Sequence, residues 1–308
     1  MATSTHALIN GAATTLDDYG LPGDPAWTEI DWREHLHSAD VMGTRVNYVD
    51  VGEGPPVVLV HGLSGCWQNW LENIPHLAQR HRVIIPDLPG FGRSPMPPEP
   101  ITIPYYGHFL NALLDHLDLD RASVVGNSMG GFVSAEVAVS HRSRIDALVL
   151  VSAVGVHKLP RNMTPGQAVR AAGWMRPVTD ATLRRADFLV RRARGRRLLL
   201  GMVARYPERL QPQMCVEMLM GADKPGFADA LHSIFNYDLR HRLEDVTVPA
   251  LIVWGRNDML VPVESAHTYE RHLPNSTKVI LDGTGHVAMI ERARTFNRLV
   301  GEFLPYTA

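Results

Sequence analysis

One serine in the sequence has the neighbours that a nucleophile needs. Ser128 lies in GNSMG, with Gly126 two positions before it and Gly130 two positions after it. The preceding ASVV has the apolar character of a buried strand, and the following GGFVSAEVAVS has that of a helix. A very tight turn between a strand and a helix makes the serine hydroxyl protrude, and only glycine leaves room for the flanking chain. The spacing therefore predicts a nucleophilic serine.

Two further residues could complete the chemistry, because a nucleophilic serine needs a base to take its proton and an acid to orient that base. His286 in DGTGH follows the last predicted strand, and Asp258 in WGRND follows the strand before it. The order serine, aspartate, histidine, with each residue just past the carboxyl end of a strand, is that of a catalytic triad on an α/β sheet. Asp87 and Asp282 also lie near strand ends, and we expect them to be turn or loop residues instead.

Around these residues the sequence alternates β-rich runs with helical patterns. The predicted strands are WTEIDW, RVNYVDV, PPVVLVHG, RVIIPDLPG, ASVVGNS, IDALVLVS, PALIVWGRND and TKVILDGTGH. Most of them are uniformly apolar, which is typical of strands buried on both faces of a mostly parallel sheet. The predicted helices are YYGHFLNALLDHL, GGFVSAEVAVSH, SAHTYERHL and ARTFNRLVGEFL. This alternation indicates an α/β fold.

One region, from position 155 to position 242, interrupts the alternation. It has no buried-strand pattern and is rich in arginine, methionine and helix formers, so we expect a helical insertion on the sheet. Between positions 161 and 209, twelve arginines and no lysine stand against three acidic residues. This charge indicates either a solvated helix face or a surface that attracts an anionic substrate or interface. Met214 and Met218 line either an adaptable substrate pocket or the hydrophobic core.

The composition argues against several classes of function. The 308 residues, 45% of them hydrophobic, suffice for a large core, and the net charge of -2 offers no field that would gather nucleic acid. Cys66 and Cys215 match no disulfide framework or metal motif, which fits a reducing cytosol. The sequence shows neither a signal peptide nor an apolar run long enough to span a bilayer. We therefore expect a cytoplasmic protein with a loosely ordered N-terminal arm at 1–26.

Five motifs together resemble those of α/β-hydrolase-fold serine hydrolases: HGLSG at 61–65, DLPGFGRS at 87–94, GNSMGG at 126–131, WGRND at 254–258 and GTGH at 283–286. The resemblance is of the carboxylesterase or lipase type and extends, in GNSMGG, to meta-cleavage-product hydrolases. It implies a mostly parallel eight-stranded sheet with flanking helices, a core at 27–154 and 243–308, and a helical cap at 155–242 between strands 6 and 7. It also implies a reaction that requires no cofactor or metal.

The resemblance assigns roles to the residues around the serine as well. The backbone N–H groups of Leu63, after the HG pair, and of Met129, after the serine, are expected to form an oxyanion hole. Ser64 and Trp67 are expected either to touch substrate or to pack the loop that carries them. His61 is expected to support that loop.

These assignments imply hydrolysis of small to medium carboxylic esters through an acyl-enzyme intermediate. Haloalkane dehalogenases and related epoxide hydrolases have an aspartate in place of Ser128, so the resemblance excludes those reactions. The first alternative is carbon–carbon bond hydrolysis of meta-cleavage products, although HGLSGCWQNW departs from the glycine-rich loop usual in those enzymes. The second is a non-catalytic ligand-binding protein, which usually lacks a triad member. The sequence does not indicate an oligomeric state.

Overall fold

The computed structural model describes residues 18–20, 25–156 and 185–306. These residues contain one eight-stranded sheet. Its strands are β1 (Leu36–Val41), β2 (Thr44–Val51), β3 (Pro56–Val60), β4 (Arg82–Pro86), β5 (Ala122–Asn127), β6 (Ile145–Val151), β7 (Ala250–Gly255) and β8 (Ser276–Leu281). Their order across the sheet is β1-β2-β4-β3-β5-β6-β7-β8. β2 is antiparallel to both of its neighbours, and all other pairs are parallel. The expected mostly parallel sheet is confirmed.

The described residues also contain ten α-helices. They are α1 (Ile74–Leu77), α2 (Ile103–His116), α3 (Met129–Ser140), α4 (Ala186–Val190), α5 (Ala193–Leu200), α6 (Pro212–Leu219), α7 (Phe227–Asn236), α8 (Glu264–His272), α9 (Ala288–Glu291) and α10 (Ala293–Phe303). The four helices predicted from the sequence correspond to α2, α3, α8 and α10. Local sequence explains where α2 begins, because the Thr102 side chain accepts a hydrogen bond from Tyr105 N and caps the helix.

Hydrophobic cores lie on both faces of the sheet, as the uniformly apolar strands predicted. Along β3, Val58 and Val60 pack into one core, whereas Val57 and Leu59 pack into the other. This division follows from the two-residue period of a strand, in which successive side chains point to opposite faces. Every residue of β5 and of β7 is buried. The loops that follow these two strands therefore begin in well-packed surroundings.

The prediction of a first strand at WTEIDW is wrong. That segment forms two short 3-10 helices, Ala26–Glu29 and Trp32–Glu34, and the first strand is β1. The indole rings explain the difference, because Trp27 is buried and Trp32 packs against Trp67 with ring centroids 5.2 Å apart. β1, with the sequence LHSADV, lies at the edge of the sheet and is partly exposed, so it lacks the apolar pattern of a central strand.

The segment between β6 and β7 is helical in its described part, which contains α4, α5, α6 and α7. Residues 157–184 of the predicted cap lie outside the described residues, so the boundaries at 155 and 242 stay a prediction. The expected looseness of the N-terminal arm is wrong for Asp18–Gly20, because Tyr19 is buried. Residues 1–17 and 21–24 of the arm lie outside the described part. None of the described helices has the length and apolar character needed to cross a membrane.

Candidate active site

The backbone of Ser128 has the strained geometry that a strand-turn-helix junction requires. β5 ends at Asn127, α3 begins at Met129, and Ser128 between them has φ 57° and ψ -116°. A non-glycine residue held in such a sparsely populated region costs about 1–3 kcal/mol, which the surrounding structure must offset. A Cβ on Gly126 would lie 2.2 Å from Gly130 O, and a Cβ on Gly130 would lie 2.1 Å from a carbonyl oxygen of β3. Both flanking positions therefore need glycine.

Three backbone hydrogen bonds hold this turn in place. Ser128 N donates to Val151 O, at the end of β6, over 2.9 Å. Ser128 O accepts from Phe132 N, one turn into α3, and from Val154 N, both at 3.2 Å. The neighbouring strand and helix thus impose the unusual backbone conformation, which leaves the side chain of Ser128 at the tip of the turn.

His286 and Asp258 are hydrogen-bonded to each other. His286 Nδ1 lies 2.8 Å from Asp258 Oδ2, and the two side chains are 5% and 0% exposed. The other carboxylate oxygen accepts from Leu260 N and from Val261 N, each at 2.9 Å. Because an ionised carboxylate can only accept, His286 Nδ1 must donate, and Nε2 of the neutral ring is then free to accept a proton. The loop after β7 therefore fixes both the orientation and the tautomer of the histidine.

The loops that carry these residues are packed directly against the serine turn. Asn127, the residue before Ser128, donates through Nδ2 to the carbonyl oxygens of His286 and of the last residue of β6, at 3.2 Å each. A Cβ on Gly255 would lie 2.0 Å from Gly285 O, so the loops after β7 and β8 touch. Within the described residues, no hydrogen bond joins Ser128 Oγ to His286. The structure thus brings the three residues to neighbouring loops and pairs two of them.

The two competing carboxylates serve other contacts. Asp87 is fully buried, and its carboxylate ties the turn after β4 to adjacent segments by accepting from Trp67 N, Arg93 N and Asn47 Nδ2. The side chain of Asp282 is 80% exposed and forms an ion pair with Arg256. Only Asp258 of the three carboxylates is hydrogen-bonded to His286 within the described residues.

His61 supports the HGLSG loop from beneath. Its Nδ1 lies 2.8 Å from Gly62 O, its Nε2 accepts from Leu88 N over 3.0 Å, and its ring packs edge-on against Phe91. Burial lowers the pKa of His61, which keeps the ring neutral. The neutral form suits these contacts, because one ring nitrogen donates while the other accepts. His61 therefore acts as a support of the loop rather than as a second base.

This loop packs against the serine turn at Gly62, the residue before Leu63. A Cβ on Gly62 would lie 3.1 Å from the Cβ of Ser128, so the two segments are in contact. Met129 is the first residue of α3, and its N–H therefore has no acceptor within the helix. Neither Leu63 N nor Met129 N donates a hydrogen bond to another described residue. Two unpaired backbone donors consequently flank the hydroxyl-bearing turn.

The chain matches the model of the family described as "alpha/beta hydrolase fold" over residues 55–293, which is more than half of its length. The chain belongs to the alpha/beta hydrolase fold family.

Two relatives and one solved structure illustrate where the chain lies within this family. The chain is 34% identical over 275 residues to a 2-hydroxy-6-oxo-2,4-heptadienoate hydrolase of Pseudomonas putida, with 85% of this chain and 93% of that protein covered. It is 32% identical over 277 residues to the dihydrolipoyllysine-residue acetyltransferase component of the acetoin cleaving system of Pseudomonas putida, covering 86% and 68%. The structure of a meta-cleavage product hydrolase from Pseudomonas fluorescens IP01 is similar, with a TM-score of 0.70, 26% identity, and coverage of 87% and 96%.

In this alpha/beta hydrolase the four residues predicted to bind substrate differ in their surroundings. Trp67, Met214 and Met218 are buried in one hydrophobic cluster, which accounts for them as packing residues. Ser64 is partly exposed on the HGLSG loop, with φ 60°. A Cβ on Gly221, just after α6, would lie 2.4 Å from Ser64 O, so the insertion reaches this loop. Binding of substrate by these four residues stays a prediction.

The described arginines of the insertion include several with partners inside the protein. Arg191 pairs with Asp187, and Arg197 pairs with Glu208. Arg196 is buried, and its guanidinium donates to three backbone carbonyl oxygens of the insertion. Three of the twelve arginines therefore have structural contacts within the protein. The predicted anionic interface stays a prediction.

Sequence reasoning missed two polar residues of the site. Asn127 links the serine turn to the histidine loop, and its position inside GNSMGG was the available signal. Glu291 is fully buried beside His286, and the signal was one acid at the end of the apolar run VAMI. Among the described residues, no group of three or more His, Cys, Asp or Glu side chains could hold a metal ion.

Proposed function

We propose that this alpha/beta hydrolase is a serine hydrolase with Ser128 as nucleophile, His286 as general base and Asp258 as the carboxylate that orients the base. The observation that carries the proposal is the 2.8 Å hydrogen bond between His286 Nδ1 and the fully buried carboxylate of Asp258, on the loops beside the strained serine turn. A base held in one tautomer next to a protruding hydroxyl is the arrangement that activates serine.

The reaction begins when Ser128 Oγ attacks a carbonyl carbon and His286 Nε2 takes its proton. Asp258 stabilises the resulting imidazolium, and the N–H groups of Leu63 and Met129 stabilise the negative charge on the carbonyl oxygen. One such donor typically contributes about 10²- to 10³-fold in rate. The imidazolium then protonates the leaving group. A water molecule deprotonated by His286 hydrolyses the acyl-enzyme and restores the serine.

For the bond that is cleaved, we propose the C5–C6 bond of a 2-hydroxy-6-oxo-dienoate, that is, carbon–carbon hydrolysis of a meta-cleavage product. The 34% identity to a 2-hydroxy-6-oxo-2,4-heptadienoate hydrolase over most of both chains supports this substrate class. A carbon leaving group requires delocalisation of its electron pair. The diene first tautomerises to the 2-oxo form with a proton gained at C5, and cleavage then moves the electron pair through the C3–C4 double bond to the C2 oxygen. Water supplies the hydroxyl of the carboxylic acid product.

The test compares rates of hydrolysis of two kinds of substrate. One is 2-hydroxy-6-oxo-2,4-heptadienoate, whose turnover is monitored as loss of its absorbance, and the other is a series of p-nitrophenyl esters from acetate to palmitate. We expect kcat/KM for the dienoate to exceed that for the best ester by about tenfold or more. Ser128→Ala is expected to lower both activities by about 10³-fold or more, because it removes the nucleophile and keeps the backbone turn. Ser140→Ala, at the far end of α3, is the matched control and should keep wild-type rates.

A second candidate is the hydrolysis of small to medium carboxylic esters, which uses the same nucleophile and oxyanion donors. The HGLSGCWQNW loop favours it, because the 3-10 helix Trp67–Trp70 with two buried indoles replaces the glycine-rich loop usual in meta-cleavage enzymes. If the best ester exceeds the dienoate in kcat/KM, ester hydrolysis replaces the carbon–carbon reaction. If a folded protein turns over neither substrate, both proposed reactions fail and a ligand-binding role is the one to pursue.

A further inference from the structure

A buried carboxylate lies directly beneath the histidine loop. Glu291, the last residue of α9, is fully buried. Its Oε1 accepts from Gly285 N at 2.9 Å and from Val287 N at 3.2 Å, and these two residues flank His286 on either side. His286 N itself donates to Val203 O over 2.9 Å. Three consecutive backbone amides around the proposed base are therefore held by specific acceptors.

The same carboxylate gathers donors from two distant parts of the chain. Glu291 Oε2 accepts from the hydroxyl of Tyr19 and from Arg205 N, each at 2.7 Å. Tyr19 belongs to the segment before the sheet, and Arg205 to the insertion. Burial raises the pKa of Glu291, whereas the hydrogen bonds from these donors favour its charged form. A single carboxylate thus joins the N-terminal segment, the insertion and the histidine loop.

Tyr19 is fixed in this contact from several sides. Its hydroxyl also accepts from Tyr206 N over 2.7 Å, and its ring lies edge-on to that of Tyr206. The guanidinium groups of Arg209 and Arg292 each lie 5.2 Å from the ring centroid. Burial, together with the neighbouring charge of Glu291, raises the pKa of Tyr19, so the phenol keeps its proton and donates. The contact therefore has little freedom to shift.

The backbone beside Tyr19 adds two further attachments. Gly20 N donates to Glu291 O over 3.1 Å. The carboxylate of Asp18 accepts from Thr295 N in α10 over 2.8 Å. The Asp18–Gly20 segment is consequently bonded to both helices that follow His286. It lies before the part of the chain that matches the family model, so this support does not come from the family core.

We propose that Glu291 and Tyr19 are positioning residues for His286, and that the Asp18–Gly20 segment thereby supports catalysis from outside the family core. This proposal rests on the proposed function in one respect, since it takes His286 as the general base. The physical reason is geometric. Proton transfer depends on the imidazole position, and a misplacement of about 1 Å costs about 10²-fold in rate.

The test uses the full chain and diisopropyl fluorophosphate, which reacts with an activated serine whatever the natural substrate is. Labelling at several reagent concentrations gives the maximal inactivation rate and the apparent binding constant separately. For Glu291→Gln we expect the maximal rate to fall by about 10²-fold, with the binding constant changed less than about threefold. For Tyr19→Phe, which keeps the ring and removes only the hydroxyl, we expect a fall of about three- to tenfold.

Tyr106→Phe is the matched control, because it removes another buried hydroxyl that donates to a backbone carbonyl, Pro89 O, at 2.9 Å. Tyr106→Phe should lower the melting temperature about as much as Tyr19→Phe does, while its labelling rate stays at the wild-type value. If Glu291→Gln does not fold, the labelling rate of Tyr19→Phe alone tests the positioning role.

The outcomes separate the two proposals. A wild-type protein that is not labelled overturns Ser128 as an activated nucleophile, and the positioning role with it. If the wild type is labelled, and Tyr19→Phe and folded Glu291→Gln are labelled equally fast, only the positioning role is overturned. A fall in labelling that Tyr106→Phe matches also overturns it, because the effect would then follow general stability.

Discussion

Asp258→Asn tests the proposed triad with almost no change of shape. The Asp258 side chain is fully buried, and one of its oxygens accepts from two backbone N–H groups at 2.9 Å. The asparagine oxygen can keep both bonds only if its NH₂ group faces His286. The reverse orientation would leave buried donors facing each other, at a cost of about 1–3 kcal/mol for each unpaired group. The orientation of the new amide is therefore determined by the surrounding backbone.

With NH₂ facing it, His286 Nδ1 must accept, and the ring proton moves to Nε2. The nitrogen that should take the serine proton is then blocked. In a serine hydrolase this wrong tautomer costs about 10⁴-fold in kcat, which corresponds to about 5.5 kcal/mol in the activation barrier. KM should change little, because Asp258 is buried behind the histidine and we assign it no contact with substrate.

The assay is steady-state kinetics on whichever substrate the wild type turns over best, together with the melting temperature of each variant. Asp282→Asn is the matched control, since this carboxylate is 80% exposed and pairs only with Arg256 among the described residues. It should keep kcat within about twofold, because exposed ion pairs contribute little. If folded Asp258→Asn keeps more than a tenth of the wild-type kcat, the assignment of Asp258 as the orienting carboxylate is refuted.

Two further predictions concern the supports of the site. Gly126→Ala should lower the free energy of unfolding by about 3 kcal/mol or more, because the alanine Cβ would lie 2.2 Å from a backbone oxygen. Urea denaturation measures this loss. A loss below about 1 kcal/mol would show that the turn can relax. Burial lowers the pKa of His61, so below about pH 6.5 the unfolded chain binds more protons than the folded protein, and stability should fall with falling pH. Urea titrations at pH 7.5 and 5.5 should show a smaller loss in His61→Gln, and an equal loss in both proteins would contradict the argument.

The relatives support the second reaction that the sequence motifs suggested at least as well as the first. The motifs favour ester hydrolysis, whereas the similarity to a 2-hydroxy-6-oxo-2,4-heptadienoate hydrolase favours carbon–carbon hydrolysis. Local motifs could not decide, because the proposed nucleophile, base and oxyanion donors would serve both reactions equally. The two reactions differ in the leaving group that the site must accept.

Elements with strong local patterns could be predicted from the sequence. The central strands have continuous apolar runs because both of their faces are buried. The serine turn needs glycine at positions 126 and 130, because a Cβ there would lie within 2.2 Å of neighbouring backbone. Strand β1 escaped prediction, since an edge strand with one partner carries little apolar signal. The β-rich run WTEIDW suggested a strand, although Trp27 and Trp32 lie in 3-10 helices.

The sequence by itself determined the α/β fold, the strained serine turn and the candidate residues at the strand ends, because each depends on sterics and periodicity over a few neighbouring residues. Only the tertiary structure decided which of three carboxylates pairs with His286, since all three follow strands. It also shows that Met214 and Met218 are buried in a hydrophobic cluster. The contact between Tyr19 and Glu291 joins residues 272 positions apart, and no local pattern can encode a hydrogen bond that forms only when the folded chain brings such distant segments together.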